Sequence, residues 1–108
     1  MYMRRATVYC LQIPAGILSR DANGYTFQYL ATYLENADLP AISLTLPRQA
    51  APFRSQVLFA FFFGLLAEGE LKTVQCRVLR IDEHDHFTRL LKTCSVETIG
   101  GVTIQELP

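Results

Sequence analysis

The residues from Val57 to Ala67, VLFAFFFGLLA, form the longest apolar run in the chain. A bilayer span takes about 20 such residues. A run this short must therefore be covered by the rest of the protein or by another molecule. Placed on a helix, Val57, Phe61 and Leu65 share a face with Leu58 and Phe62, and Phe59 and Phe63 lie on another. Such a helix is apolar nearly all round and is expected to be buried on two sides. Ser55 is placed to cap its start. Gly64 costs about 1 kcal/mol relative to alanine inside a helix, and we read it as a point of close backbone approach. The run has no lysine-bearing polar face, so a membrane-surface helix is not expected.

The rest of the chain decides what can cover that run. With 108 residues, one domain spanning 1–108 is expected, and no linker or repeat divides it. Half of the residues are hydrophobic and 19% are charged, which excludes a disordered chain. Ten basic and ten acidic residues cancel, leaving no field to steer nucleic acid. The apolar surplus points to hydrophobic surface reserved for a partner. Cys10, Cys76 and Cys94 are odd in number and lack C-x-x-C spacing. They read as free thiols in a reducing cytoplasm. The start, Met-Tyr-Met-Arg-Arg-Ala-Thr, has no apolar stretch after its arginines and is not read as a signal peptide.

The first half reads as strands and turns. Ala6 to Ile13 is a strand, Pro14-Ala15-Gly16 a turn, and Ile17-Leu18 the beginning of a short second strand. Asp21-Ala22-Asn23-Gly24 is a strong turn signal. Tyr25, Phe27 and Tyr29 then alternate with Thr26 and Gln28 as a half-buried strand does. Ala31 to Asn36 fits one helical turn. Ile42, Leu44 and Leu46 alternate between Pro40 and Pro47 as another short strand would. The second half reads as helical. Leu71, Val74, Val78 and Leu79 are spaced for one helix after the Glu68-Gly69 break. A further helix starting at Asp82-Glu83 has Phe87, Leu90 and Leu91 on one face, and Arg89 and Lys92 near its C-terminal end. Ile99, Val102 and Ile104 make a closing strand bent at Gly100-Gly101.

Chemistry-bearing motifs are sparse. The chain has no phosphate-cradling glycine loop and no nucleophile elbow, and its cysteines are not positioned beside histidines. No catalytic residue, cofactor or metal is expected. A small metal-binding protein using His84, His86 and the neighbouring acids is the alternative. On a helix those two imidazoles would point about 200° apart. Arg77 and Arg80, joined by Arg4 and Arg5, could form a basic patch, although solvated surface is the better reading. At the Glu68-Gly69-Glu70 turn two carboxylates follow an apolar helix. They serve either the N-terminus of the next helix or a partner contact.

The order of these segments resembles a known family. Gly16-Ile17-Leu18 precedes Asn23-Gly24-Tyr25-Thr26-Phe27-Gln28-Tyr29. Ile42-Ser43-Leu44-Thr45-Leu46-Pro47 follows, then Leu58-Phe59-Ala60-Phe61-Phe62-Phe63-Gly64-Leu65-Leu66-Ala67-Glu68-Gly69. Asp85-His86-Phe87-Thr88-Arg89-Leu90-Leu91 and Ile99-Gly100-Gly101-Val102-Thr103-Ile104 complete the series. This is similar to the N-terminal subdomain of the HipA toxin kinases, with Ala67 where that family often has proline and Gly101 where it often has alanine. The resemblance implies an α+β fold: a twisted antiparallel sheet, partly closed like a barrel, with about three packed helices. It covers only the first quarter or so of a HipA kinase and leaves out the kinase core. It therefore implies a HipS-like small subunit of a split, bacterial HipBST toxin–antitoxin system. The partners implied are a HipT/HipA-type kinase chain and a HipB-like helix-turn-helix protein that binds DNA. Phe63, Leu66, Glu68, Gly69, Glu70 and Leu71 are the residues expected to meet the kinase, with the antitoxin role or a purely structural completion of the kinase as the two functions to be separated.

Overall fold

Alternation of small apolar and polar residues builds the first strand, β1 (Arg4–Cys10), which turns Ala6, Val8 and Cys10 into the core. The structure, a computed structural model, describes residues 3–95 and 101–107. β1 turns into β2 (Ile13–Asp21) through Leu11 and Gln12, with φ of 53° and 69°. Positive φ at both central positions defines the type I′ turn, whose twist matches paired strands. Neither residue is a glycine or asparagine, so each carries the steric cost of the left-handed region, about 1–2 kcal/mol. Gln12→Gly should therefore raise the unfolding free energy by about 1 kcal/mol, read from the midpoint of a urea titration.

The turn expected at Pro14-Ala15-Gly16 is instead part of β2. Pro14 stands opposite Tyr9, the register slips between Val8 and Tyr9, and β3 pairs with β2 only from Gly16 onward. A residue without an N–H fits at such a bulge, beyond the last pairing on its other side. Gly16 is needed for space: a Cβ there would lie 2.6 Å from the Phe27 ring. The expected hairpin forms between β2 and β3 (Gly24–Tyr29), with Asp21 Oδ1 accepting from Asn23 N at 2.8 Å. β3 keeps its predicted alternation, with Phe27 and Tyr29 buried and Gln28 exposed. The single helical turn follows as α1 (Ala31–Glu35).

The strand expected at Ile42 to Leu46 is a tight turn. Leu46 N donates to Ser43 O at 3.1 Å, Ser43 Oγ accepts from Thr45 N at 3.2 Å, and Leu44 stands 99% exposed at the apex. The Tyr29 hydroxyl closes the loop from inside. It accepts from Ile42 N at 3.1 Å and donates to Leu46 O, so both flanking side chains stay buried. With those backbone groups satisfied locally, no ladder partner is needed. Arg48 donates to the carbonyls of Leu34 and Asn36, each at 2.9 Å, and caps the end of α1.

The apolar run does not form one long helix. β4 (Phe53–Ser55) extends the sheet, and Ser55 Oγ accepts from Val57 N in a local turn and caps no helix. α2 (Ala60–Phe63) is a single turn. Phe62 is fully buried and packs on Phe27 and Phe61, with ring centroids 5.7 and 5.2 Å away. Gly64 ends α2 with φ of −65°, and a Cβ there would approach only the Ala60 and Phe61 carbonyls, at 3.4 Å. No other element comes close at that point.

Two longer helices follow, α3 (Gly69–Leu79) and α4 (His86–Thr93). α4 starts later than expected because Asp82 Oδ1 is taken by His84 N at 2.8 Å, while Asp85 caps the helix through Thr88 N at 3.2 Å. Its Phe87, Leu90 and Leu91 are buried, as their spacing predicted. The last strand, β5 (Val102–Glu106), pairs antiparallel with β1. Ile99 and Gly100, read as part of it, lie outside the described residues.

The five strands run in the order β4-β3-β2-β1-β5, all antiparallel where paired, so the α+β reading holds. The sheet is open, without the barrel-like closure, and four helices are present among the described residues. One edge is the three-residue β4, too short to wrap around. At the other, Ile104 N donates to Cys94 O at 2.8 Å, so the end of α4 occupies that flank. Arg4 ties β1, β5 and α4 together: it bonds Glu106 Oε2 at 2.9 Å and Thr88 Oγ1 at 2.6 Å, and lies over Phe87. Its guanidinium is thus engaged within the fold. The three cysteines are free and buried.

Candidate functional site

α3 is the element whose sequence and surroundings disagree. Cys76 is its only buried residue. Leu71 and Val78, expected to face inward, are 58% and 72% exposed, and Val74 and Leu79 are exposed as well. At positions i, i+3 and i+7, Leu71, Val74 and Val78 fall on one stripe. Apolar side chains aligned on one exposed stripe, and not scattered singly, are the pattern of an interaction surface. Arg77 lies in its last turn, and Arg80 ends it in the left-handed conformation with φ of 58°.

α3 is reached through a corner that follows α2. Leu65 N and Leu66 N donate to Phe62 O and Phe63 O, each at 3.1 Å, carrying the chain out of α2. Leu66 is buried and belongs to the core, whereas Phe63, Glu68, Gly69 and Glu70 are exposed beside Leu71. Gly69 adopts φ of 61°, and a Cβ added there would meet nothing within 4 Å, so backbone conformation and not crowding favours glycine. Glu70 lies in the first turn of α3, where a carboxylate meets the positive end of the helix dipole. Glu68 precedes the helix and its side chain makes no capping bond. Of the six residues expected to meet a partner, five are exposed between α2 and the first turn of α3, and the sixth, Leu66, is buried in the core.

α4 underlies this corner. The Phe63 ring meets the His86 ring edge-on, with centroids 5.0 Å apart. Arg89 is 3% exposed; its Nη2 donates to Ala67 O at 2.8 Å, and its Nη1 lies 3.2 Å from His86 Nδ1. Burial, together with the Arg89, Lys72 and His84 charges, holds the His86 imidazole below its usual range, against an opposing pull from Asp85. At neutral pH the ring is therefore uncharged. A polar groove runs from the His86 side past Val57 to the β2–β3 turn, where Tyr25 and Gln56 form its walls. Arg20 meets Asp85 there at 3.5 Å.

The two histidines considered as metal ligands diverge. His84 is exposed beside Asp82, with Nδ1 3.4 Å from Oδ1, while His86 faces Phe63 and Arg89. Among the described residues no three His, Cys, Asp or Glu side chains gather as a metal site. No helix among them is long and apolar enough to cross a membrane.

An open five-stranded antiparallel sheet with helices packed on it, one of them exposing an apolar stripe, defines an α+β domain. The chain belongs to the HipA N-terminal domain family, whose profile matches residues 6–105. A solved structure described as the N-terminal domain of HipA toxin superposes with a TM-score of 0.71 at 32% identity, covering 97% of this chain and 93% of that one. A Haemophilus influenzae protein, described as uncharacterized, is 38% identical over 91 residues, which is 84% of this chain and 81% of that protein.

Proposed function

We propose that this chain is a non-catalytic, antitoxin-like subunit that docks on a HipT/HipA-type serine/threonine kinase and holds it inactive. The observation that carries the reading is the exposed Leu71–Val74–Val78 stripe beside the Phe63–Glu70 corner, in a member of the HipA N-terminal domain family. An apolar patch of this kind has the composition of an interface core, and the flanking Glu68 and Glu70 that of its polar rim. A HipB-like DNA-binding protein would complete the assembly. The cancelled charges of the chain suit a protein that acts on a kinase and leaves DNA contact to another subunit.

A second reading keeps the kinase partner but makes the chain a completing piece of the kinase fold. It is favoured by the likeness to a domain described as part of a toxin. Co-expression with a HipA-type kinase encoded beside this chain separates the two. Relief of toxicity and loss of phosphorylation in the two-chain complex support restraint, full kinase activity of that complex supports completion, and absence of binding removes both.

A further inference from the structure

Arg89 is a guanidinium held 3% exposed with no carboxylate within ion-pair distance among the described residues. Burying a cation in this way is costly unless hydrogen bonds replace its water. Two groups do so, the Ala67 carbonyl at the end of the apolar run and Nδ1 of His86. Because the guanidinium can only donate, Nδ1 must accept, which fixes the imidazole proton on Nε2. The same ring then braces Phe63 edge-on. Arg89 therefore holds Ala67 directly and reaches Phe63 through the His86 ring. We infer that Arg89 and His86 form a latch that positions the Phe63–Gly69 corner for docking. The link to docking rests on the kinase reading above; the latch itself does not.

The charged and titratable groups facing His86 are Arg89 and Asp85 around the start of α4, Lys72 on α3 and His84 in the preceding turn, with Arg20 of β2 paired to Asp85. Protonation would set an imidazolium N–H against the guanidinium and break the latch. Its imidazole is held below the usual value of 6.5 by burial first. The latch is therefore intact above that value and weakens as pH falls below it, since the folded corner resists the proton that an open one accepts.

Hydrogen exchange of the full chain tests this through the Leu65 and Leu66 amides, which are bonded within the corner. In Arg89→Lys and in His86→Phe their protection should fall at least tenfold while the β2–β3 amides keep theirs. In the unaltered chain that protection should decline as pH is lowered from 7.5 to 5, and His86→Phe should abolish the decline. Unchanged corner protection in both variants, a loss spread equally over the sheet, or a flat pH profile would each overturn the latch. Kinase affinity of the same variants, expected to drop about tenfold, reports on docking separately. If the unaltered chain binds no kinase, the functional reading fails and the exchange result still decides the latch.

Discussion

On the proposed docking role, replacing Leu71 and Val78 together by aspartate is expected to weaken binding to a HipA-type kinase by at least about 100-fold while the domain stays folded. Buried anchors at interface centres are worth about 2 kcal/mol or more each, and every 1.4 kcal/mol is about tenfold in affinity. Placing two carboxylates in a stripe that docking would desolvate adds a burial penalty for charge. In the free chain both positions face water, so the substitutions remove no core contact. Their cost there is helix propensity, about 0.7 kcal/mol per residue at most, with about 0.3–1 kcal/mol more for a carboxylate at position 78, in the last turn of α3 where the helix dipole is negative. Isothermal titration against the kinase, with circular dichroism melting of the isolated chain, reads both quantities. Intact affinity in a folded double variant would show that α3 is not the contact. An equal loss of melting temperature and affinity would show that α3 is packed more tightly than its exposure indicates.

The opposite pattern is expected inside the core. Phe62→Ala should lower stability by about 3–5 kcal/mol, the range for a buried phenylalanine. For a domain near 100 residues, that is a fall in melting temperature of roughly 15–30 °C. The size of the effect follows from its surroundings: Phe62 is fully buried, and the rings of Phe27, Phe59 and Phe61 all pack on it. Val57→Ala, five residues earlier in the same apolar run but exposed, should change stability by less than about 0.5 kcal/mol. A thermal melt of the two variants side by side shows whether the run is divided between core and surface as described. Comparable losses would mean that both ends are buried.

That division explains much of what the sequence did and did not reveal. The Tyr25, Phe27 and Tyr29 alternation and the Phe87, Leu90 and Leu91 spacing were legible because a single buried face dictates each. The apolar run reads as one helix because periodicity cannot separate continuous burial from a turn that feeds side chains in several directions. The Ile42–Leu46 strand failed for a different reason. Its backbone partners come from the Tyr29 hydroxyl, thirteen or more residues earlier, and from the Ser43 side chain. Pro14 misled because its exclusion from ladders ends where β3 stops pairing, a fact of topology.

At the candidate site, the Glu68-Gly69-Glu70 turn and the start of α3 were placed correctly. The outward orientation of Val74 and Val78 was not, since apolar spacing shows that residues share a face but not which way the face looks. A hint was present in the other side of that helix, where Lys72, Gln75 and Cys76 offer little to anchor it. In the sequence Arg89 is only a charge suited to the end of a helix. Its burial depends on Ala67, which no local pattern connects to it.

The position of β5 beside β1 has a consequence for the order of events in the cell. Ala6 is paired with Glu106 and Cys10 with Val102, so the strand of this domain that leaves the ribosome earliest waits for the one translated last. Until then one edge of β1 has unpaired backbone groups, the kind of edge that recruits other chains. Pairing so distant in sequence is also slow to form, because loop closure must precede any gain in contacts. Most of the domain must therefore be synthesised before the sheet is complete, and nascent or truncated copies lacking β5 would be targets for chaperones and proteases.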